Sequence, residues 1–479
     1  MRYYIKVLGI LGLMAVSGSP VWAQQEPHKE TANRDLETLI HRLDVQKKRI
    51  EAFERELDRR QSGEPPIRAA RFEADLPDFR RERRDPIIDP AVPGWITRDL
   101  ELQADVTVGY FASFPDDHAY RGNPRRRVPA LDPEHQHTAI YAVHLGATKR
   151  LSDEWMAGFR LATTQGDATD QFVTAGAYWQ EQPVGIDRAW IAWRPKAVEG
   201  IEIVAGKFEN PFVTTSMIWD DEISPEGVAE SWRPEVDGPW KPFVTLAQLI
   251  AEEQARGTDI ACLAWQTGFD WRVRDDVNWR LAATFYDWHG FDDAPRRGLD
   301  GAPPPAAVFP AGSQTTLYGN TVVLRRNAAG AFDVYYDTGG FDIVNITTML
   351  SFEVPVGDRT IPVEPFFDIA WNEHDDTIGG HHDTNDAHSV GVRVGSIDKP
   401  GDMEFYYKYA RIEANAVLGR FADADFGFAN RQGHALSLGY RVNDGVSIVG
   451  SLWMTKPIYD PFHTETLTPS VELDVVFEY

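Results

Sequence analysis

From Leu100 onward the chain alternates. Leu100, Leu102, Ala104, Val106, Val108 and Tyr110 are apolar, and Glu101, Gln103, Asp105, Thr107 and Gly109 stand between them. Successive strand side chains point to opposite faces, so such a ribbon has one oily face and one polar face. The same period closes the chain, where Val471, Leu473, Val475, Phe477 and Tyr479 enclose Glu472, Asp474 and Glu478. A period of two is incompatible with an amphipathic helix. It leaves two folds: strands tilted across a bilayer, with the oily face in lipid, or a soluble sheet half buried against another.

The connections favour the first. Alternating segments recur about sixteen times between 100 and 479. Short turns, such as 152–154, 197–200, 274–276, 356–358 and 443–445, take turns with long links such as 114–136, 166–185, 210–225, 290–340 and 416–431. Short links on one side, long links on the other and an even strand count form the pattern of an outer-membrane barrel. A soluble sandwich has no reason to keep that parity. Every backbone group in hydrocarbon must be paired, so the sheet has to close on itself. The expected fold is all-β, a transmembrane antiparallel β-barrel of about sixteen strands preceded by a short coiled-coil helix. Its weakest strands are 226–235 and 241–251; Thr245 to Arg256 is rich enough in Ala, Leu, Glu and Gln to form a helix instead.

Composition agrees with a barrel and narrows its partners. No run approaches the roughly 20 apolar residues of a membrane-spanning helix, and 12% of the residues are aromatic, as interfacial girdles require. The lone Cys262 excludes an intramolecular disulfide and is expected to pack as a small apolar residue. Residues 1–23 have the form of a secretory signal: Arg2 and Lys6, an apolar run from Val7 to Val16, then Val21-Trp22-Ala23. Residues 31–60 carry Leu36, Leu39, Leu43, Gln46, Ile50, Phe53 and Leu57 at alternating steps of three and four. That seam suits a periplasmic coiled coil, or alternatively a helix packed under the barrel mouth. Residues 61–94 read as a linker rich in Arg, Asp and Pro, and 95–479 as the barrel. After Asp85 there are 31 Lys and Arg against 58 Asp and Glu, a balance unsuited to nucleic acid.

One stretch is more specific. Gly185-Ile-Asp-Arg-Ala-Trp-Ile-Ala-Trp-Arg-Pro195, then Ala205-Gly-Lys-Phe-Glu-Asn-Pro-Phe212, Trp219-Asp-Asp221 and Pro225-Glu-Gly227, resembles the bacterial putative-porin family of outer-membrane channels. The resemblance implies a passive channel for small hydrophilic solutes or ions, and it supplies no catalytic residues. The alternative within this reading is a solute-selective member resembling phosphate-selective porins, which also carry an amino-terminal helix before the barrel, but that version wants a ladder of lumen Arg and Lys.

Pore-lining or constriction candidates follow from the charges. Asp187, Arg188, Lys207 and Glu209 fall on adjacent strands and are expected to form cross-strand pairs inside the lumen. Asp220, Asp221 and Glu222 open a long loop that either folds inward and narrows the channel or solvates its outside. Arg280 faces away from the oily side of its strand. Acidic positions including Asp116, Asp117, Asp292, Asp293, Asp423 and Asp425 are expected at the rim, where they could meet lipopolysaccharide through calcium. Their sign favours cations. His374, His381, His382 and His388 lie in and around one acidic loop but lack metal-ligand spacing, so no metal or cofactor is expected. No hydrolase or phosphate-loop pattern points to an enzyme. The expected partners are outer-membrane lipid, lipopolysaccharide, small solutes and two further copies of the chain, as a homotrimer. An envelope tether anchored by the barrel is the alternative of a different class.

Overall fold

The computed structural model describes residues 99–114, 136–164, 171–175, 181–253, 259–291, 314–326, 332–336, 338, 340–357, 359–374, 384–459 and 467–478. The expected signal, coiled-coil helix and linker lie outside the described residues. None of the described helices is long and apolar enough to cross a membrane, which says nothing of strands.

The described chain is made almost wholly of strands: β1 (Leu100–Ser113), β2 (Gln136–Arg150), β3 (Trp155–Thr163), the two-residue β4 (Val173–Thr174), β5 (Val184–Trp193), β6 (Ile201–Lys207), β7 (Glu226–Trp232), β8 (Trp240–Glu252), β9 (Ile260–Arg274) and β10 (Val277–His289). After the three short strands β11 (Gln314–Leu317), β12 (Asn320–Arg326) and β13 (Phe332–Tyr336) come β14 (Phe341–Val356), β15 (Arg359–Asn372), β16 (Asp386–Gly395), β17 (Met403–Ile412), β18 (Arg431–Asn443), β19 (Val446–Pro457) and β20 (Thr468–Glu478).

Each wall strand pairs antiparallel with its neighbour, and β1 pairs on its other side with β20, Val108 opposite both Tyr141 and Val475. The sheet is therefore a closed barrel of sixteen strands, with β4 a fragment attached to β2. Both segments with the least certain pattern are strands. The helical alternative for Thr245 to Arg256 is overturned through Glu252, because Thr245 and Ala247 face inward fully buried while Leu246 and Ile250 face outward. Burial on alternate residues outweighs helix propensity there. The long link 290–340 contains the separate antiparallel sheet β11–β13.

The two faces sort as the alternation demands. Leu102, Val108, Tyr110 and Leu473 are exposed outward, whereas Asp105, Thr107 and Glu472 are buried on the inner side. Tryptophans gather at the short-turn ends: Trp155 stacks on Trp193 at 5.8 Å, and Trp271 lies 5.8 Å from Trp240 and 5.9 Å from Trp279. Cys262 is buried on the inner face of β9. Inside, aromatic rings lie flat on glycines of the next strand. A Cβ at Gly268 or Gly391 would come within 2.4 Å of a ring carbon of Phe243 or Phe366. Those glycines let two rings lie against the wall, and with Met349 and Ala282 they form a cluster that receives Val213.

Candidate functional site: a lumen crossed by two loops

Val213 does not belong to the wall. It lies on the loop 208–225 between β6 and β7, and the buried side chains of Phe208, Phe212, Met217, Ile218, Trp219 and Ile223 draw that loop into the barrel. Its attachments trace its path across the lumen. Val213 N–H donates to Gln266 Oε1 of β9 at 2.9 Å, and Gln266 Nε2 returns a bond to the Val213 carbonyl at 2.9 Å. Thr215 Oγ1 donates to Asp368 on β15 at 2.6 Å. Lys408 Nζ of β17 donates to Ser216 Oγ at 2.7 Å. The loop then returns, and Gln171 donates from its backbone N–H to Glu222 Oε2 and from Nε2 to the Glu222 carbonyl, both at 2.9 Å. A segment leaving the fifth wall strand and bonded to the eleventh and thirteenth has crossed the barrel, so the inward alternative for Asp220-Asp221-Glu222 is the one adopted.

A second loop, 413–430 between β17 and β18, enters beside it. Trp219 stacks on Phe421 at 5.2 Å, and Phe421 on Trp288 at 5.2 Å. Asp423 and Asp425, expected at the rim, belong to this loop; Asp423 is ion-paired with the buried Lys408 at 2.5 Å and accepts from Ser216 Oγ at 3.1 Å. The same loop is clamped from above by β12. Asn320 Nδ2 donates to the carbonyls of Ala414 and Val417, both at 2.7 Å, and Asn320 Oδ1 accepts from Gly419 N–H at 2.7 Å. Asn415 Oδ1 accepts from Thr321 N–H at 3.1 Å.

The predicted charges divide accordingly. Asp187 and Arg188 are sequence neighbours that both reach polar partners in the lumen. A bulge makes this possible, since Arg160 faces Arg188 and Leu161 faces Ile186, leaving Asp187 without an opposite number. Asp187 takes a hydrogen-bonded ion pair from Arg160 rather than from Lys207, and also accepts from Gln171 Nε2 at 3.0 Å. Arg188 pairs with Glu209 at 3.0 Å, but Glu209 lies in the loop just past β6 and not on the adjacent strand where it was expected. Lys207 pairs instead with Glu226 at 3.4 Å. Arg280 is held by Asp270 at 2.6 Å across β9–β10, near the short-turn end. Asp220 is buried and accepts from the N–H groups of Glu222 and Ala424, both at 2.9 Å, so it joins the two loops. Asp221 beside it is solvent-exposed on the same loop. His374 of the histidine-rich loop binds Asp342 at 3.0 Å, His388 lies beside Tyr409, and His381 and His382 lie outside the described residues.

Burial, and secondly the nearby Asp423 carboxylate, push the Asp220 carboxyl up to about 7. Burial would raise Asp423 as well, but the Lys408 ammonium outweighs it and holds that carboxyl below its ordinary range. Gln266, Asp368, Lys408 and Asn320 were not singled out in the sequence. Alternation marks the first three as lumen-facing polar positions, yet nothing local says that a loop 53 to 192 residues away will reach them.

The sequence model of the putative porin family matches residues 90–475. No curated protein matches. Similar solved structures include OprB of Pseudomonas putida at high pH, 11% identical over 80% of this chain and 95% of that one, with a TM-score of 0.49. The OmpT loop L8 deletion mutant of Vibrio cholerae is 9% identical over 80% and 100%, TM-score 0.42. Salmonella typhi OmpF in complex with daunomycin is 7% identical over 79% and 97%, TM-score 0.43. With all three scores below 0.5, the family match alone carries the assignment.

Proposed function

Because the chain belongs to the putative porin family, we propose that it is a passive outer-membrane channel for small hydrophilic solutes and ions, narrowed by its two inward loops and selective for cations. The observation that carries this is the Thr215–Asp368 bond, which fastens the loop 208–225 to the far wall and leaves solutes only the lumen beside it. Charge accounting supports the sign. Asp187, Glu209, Asp270 and Asp423 are each matched by a cation within salt-bridge distance, whereas Asp221 stands exposed on the loop with no ion pair among the described residues. An unmatched carboxylate at a constriction attracts cations and repels anions. The 31-to-58 balance after Asp85 argues against the phosphate-selective alternative.

In this reading residues 1–23 direct export, the short turns face the periplasm, the long loops face lipopolysaccharide, and the helix at 31–60 helps hold a homotrimer. No step of catalysis is needed. Single-channel recording in planar bilayers tests it: ohmic steps with a cation-selective reversal potential in a salt gradient are expected. A silent bilayer overturns the channel, and a chloride-selective reversal overturns the charge assignment. Deleting residues 31–60 separates channel from tether, since the channel should still conduct while a tether should lose its envelope phenotype.

A further inference from the structure

Along the inner wall Asp187 is matched by Arg160, Asp270 by Arg280 and Glu478 by Arg441. Two carboxylates of β20, at the seam where the barrel closes, differ. Glu472 and Asp474 face inward two residues apart, Glu472 opposite Ser451 of β19 and Phe111 of β1, and Asp474 opposite Val449 and Gly109. No basic group among the described residues pairs with either.

Glu472 is only 7% exposed, and no donor among the described residues bonds to it. Its carboxyl lies against that of Asp474, acceptor to acceptor. Asp474 Oδ1 is buried as well and has no hydrogen-bond partner among the described residues. It lies over Gly109, where any Cβ would overlap it, so the missing side chain on β1 leaves the room it occupies. Two further carboxylates bear on the charge of Glu472, Glu222 of the loop 208–225 and Asp425 of the loop 413–430. The bond from Ala424 N–H to Asp220 brings both loops to this place together. Carboxylates pressed together out of water, without a donor, are strongly unfavourable unless something positive lies between them.

We propose that Glu472 and Asp474 bind a divalent cation between the barrel seam and the two inward loops. Two carboxylates match the charge of one divalent ion, and an ion held by two protein groups keeps water in its remaining positions. Glu222, whose Oε2 already accepts from Gln171, and Asp425 supply field rather than ligands. With the ion in place, the repulsion between the loop carboxylates and β20 becomes attraction. The ion therefore holds both loops against the seam.

Terbium, which takes the same oxygen ligands as calcium, is the probe. Trp453 is the diagonal neighbour of Glu472 on the inner face, since Ser451 lies opposite Glu472, and its indole is near enough to sensitise terbium luminescence. The full chain in detergent at pH 8, first stripped with chelator, should gain luminescence that calcium displaces, and calcium should raise its melting temperature. Trp453→Phe should lose the displaceable luminescence while keeping the calcium-dependent rise in melting. The double variant Glu472→Gln, Asp474→Asn should lose both, and without calcium it should melt at least as high as the stripped wild type, because the repulsion is gone. Wild-type melting indifferent to calcium overturns the site and leaves a shared proton between the two carboxyls. Displaceable luminescence that survives in the double variant also overturns it, by placing the ion elsewhere. Neither arm reads conductance, so the outcome is independent of the channel reading.

Discussion

The two loops inside the barrel are fastened by different chemistry. The loop 413–430 is clamped on its upper side by amides, Asn320 and Asn415 exchanging bonds with backbone and with Thr321. Where it meets the loop 208–225, the fastening is ionic: Lys408 pairs with Asp423, and Asp220 accepts from the adjacent Ala424 N–H, with Lys408 and Asp220 buried and Asp423 largely so. Amide clamps carry no charge and should be indifferent to pH. A buried ionic joint should be both stronger to break and sensitive to protons. The contrast teaches that the joint between the loops, and not their attachment above, is where solution conditions can alter the opening.

The sharpest way to break the contrast is Lys408→Met. It leaves the largely buried Asp423 without its cation, at a cost approaching about 3 kcal/mol. Thermal unfolding should shift down, and single-channel conductance should become larger or noisier as the loops separate. Next comes Asn415→Ala, which strips Thr321 of its partners and should cost about 1–3 kcal/mol for each buried group left open. Its effect should be the same at pH 5 and pH 8, which Lys408→Met's need not be.

The pH dependence itself follows from Asp220. A carboxyl raised to about 7 in the docked loops, against an ordinary value of about 4, favours the docked state when protonated. Docking through this group is therefore strongest below the ordinary value and weakens as pH rises through about 7. Asp423, held low by Lys408, acts oppositely and fails only below the ordinary carboxylate range. Conductance noise or protease cleavage within 208–225 should thus increase between pH 5 and pH 8, and Asp220→Asn should flatten that rise. An unchanged rise in the variant would move the sensor elsewhere. The smallest effect is expected from Arg188→Ala. Its partner Glu209 is half exposed, so losing the pair should cost under about 1 kcal/mol while leaving the loop docked. A shift in reversal potential toward cations, with little change in melting temperature, is the outcome that checks it.

Much of the wall was legible because it obeys a one-dimensional rule. Leu102 to Tyr110 alternate in the sequence and alternate in space, and even the weak segment Trp240 to Glu252 follows its period when propensity points to a helix. Arg188 meets Glu209 although Glu209 lies two residues past the end of β6, so proximity in the sequence to a paired strand, and not the strand register itself, brought them together. Lys207 was not readable, because its partner depends on which neighbour, β5 or β7, offers a carboxylate.

The sequence by itself determined a closed sheet with a greasy exterior and a polar interior, since period two and link parity are local properties that hydrocarbon and water read directly. Only the tertiary structure decided what fills the interior. Thr215 meets Asp368 across 153 positions, and Ser216 meets Asp423 across 207, and no spacing rule encodes such pairs. They exist because a barrel brings opposite walls within reach of one loop, and buried polar groups in that confined space bond to whatever partner arrives.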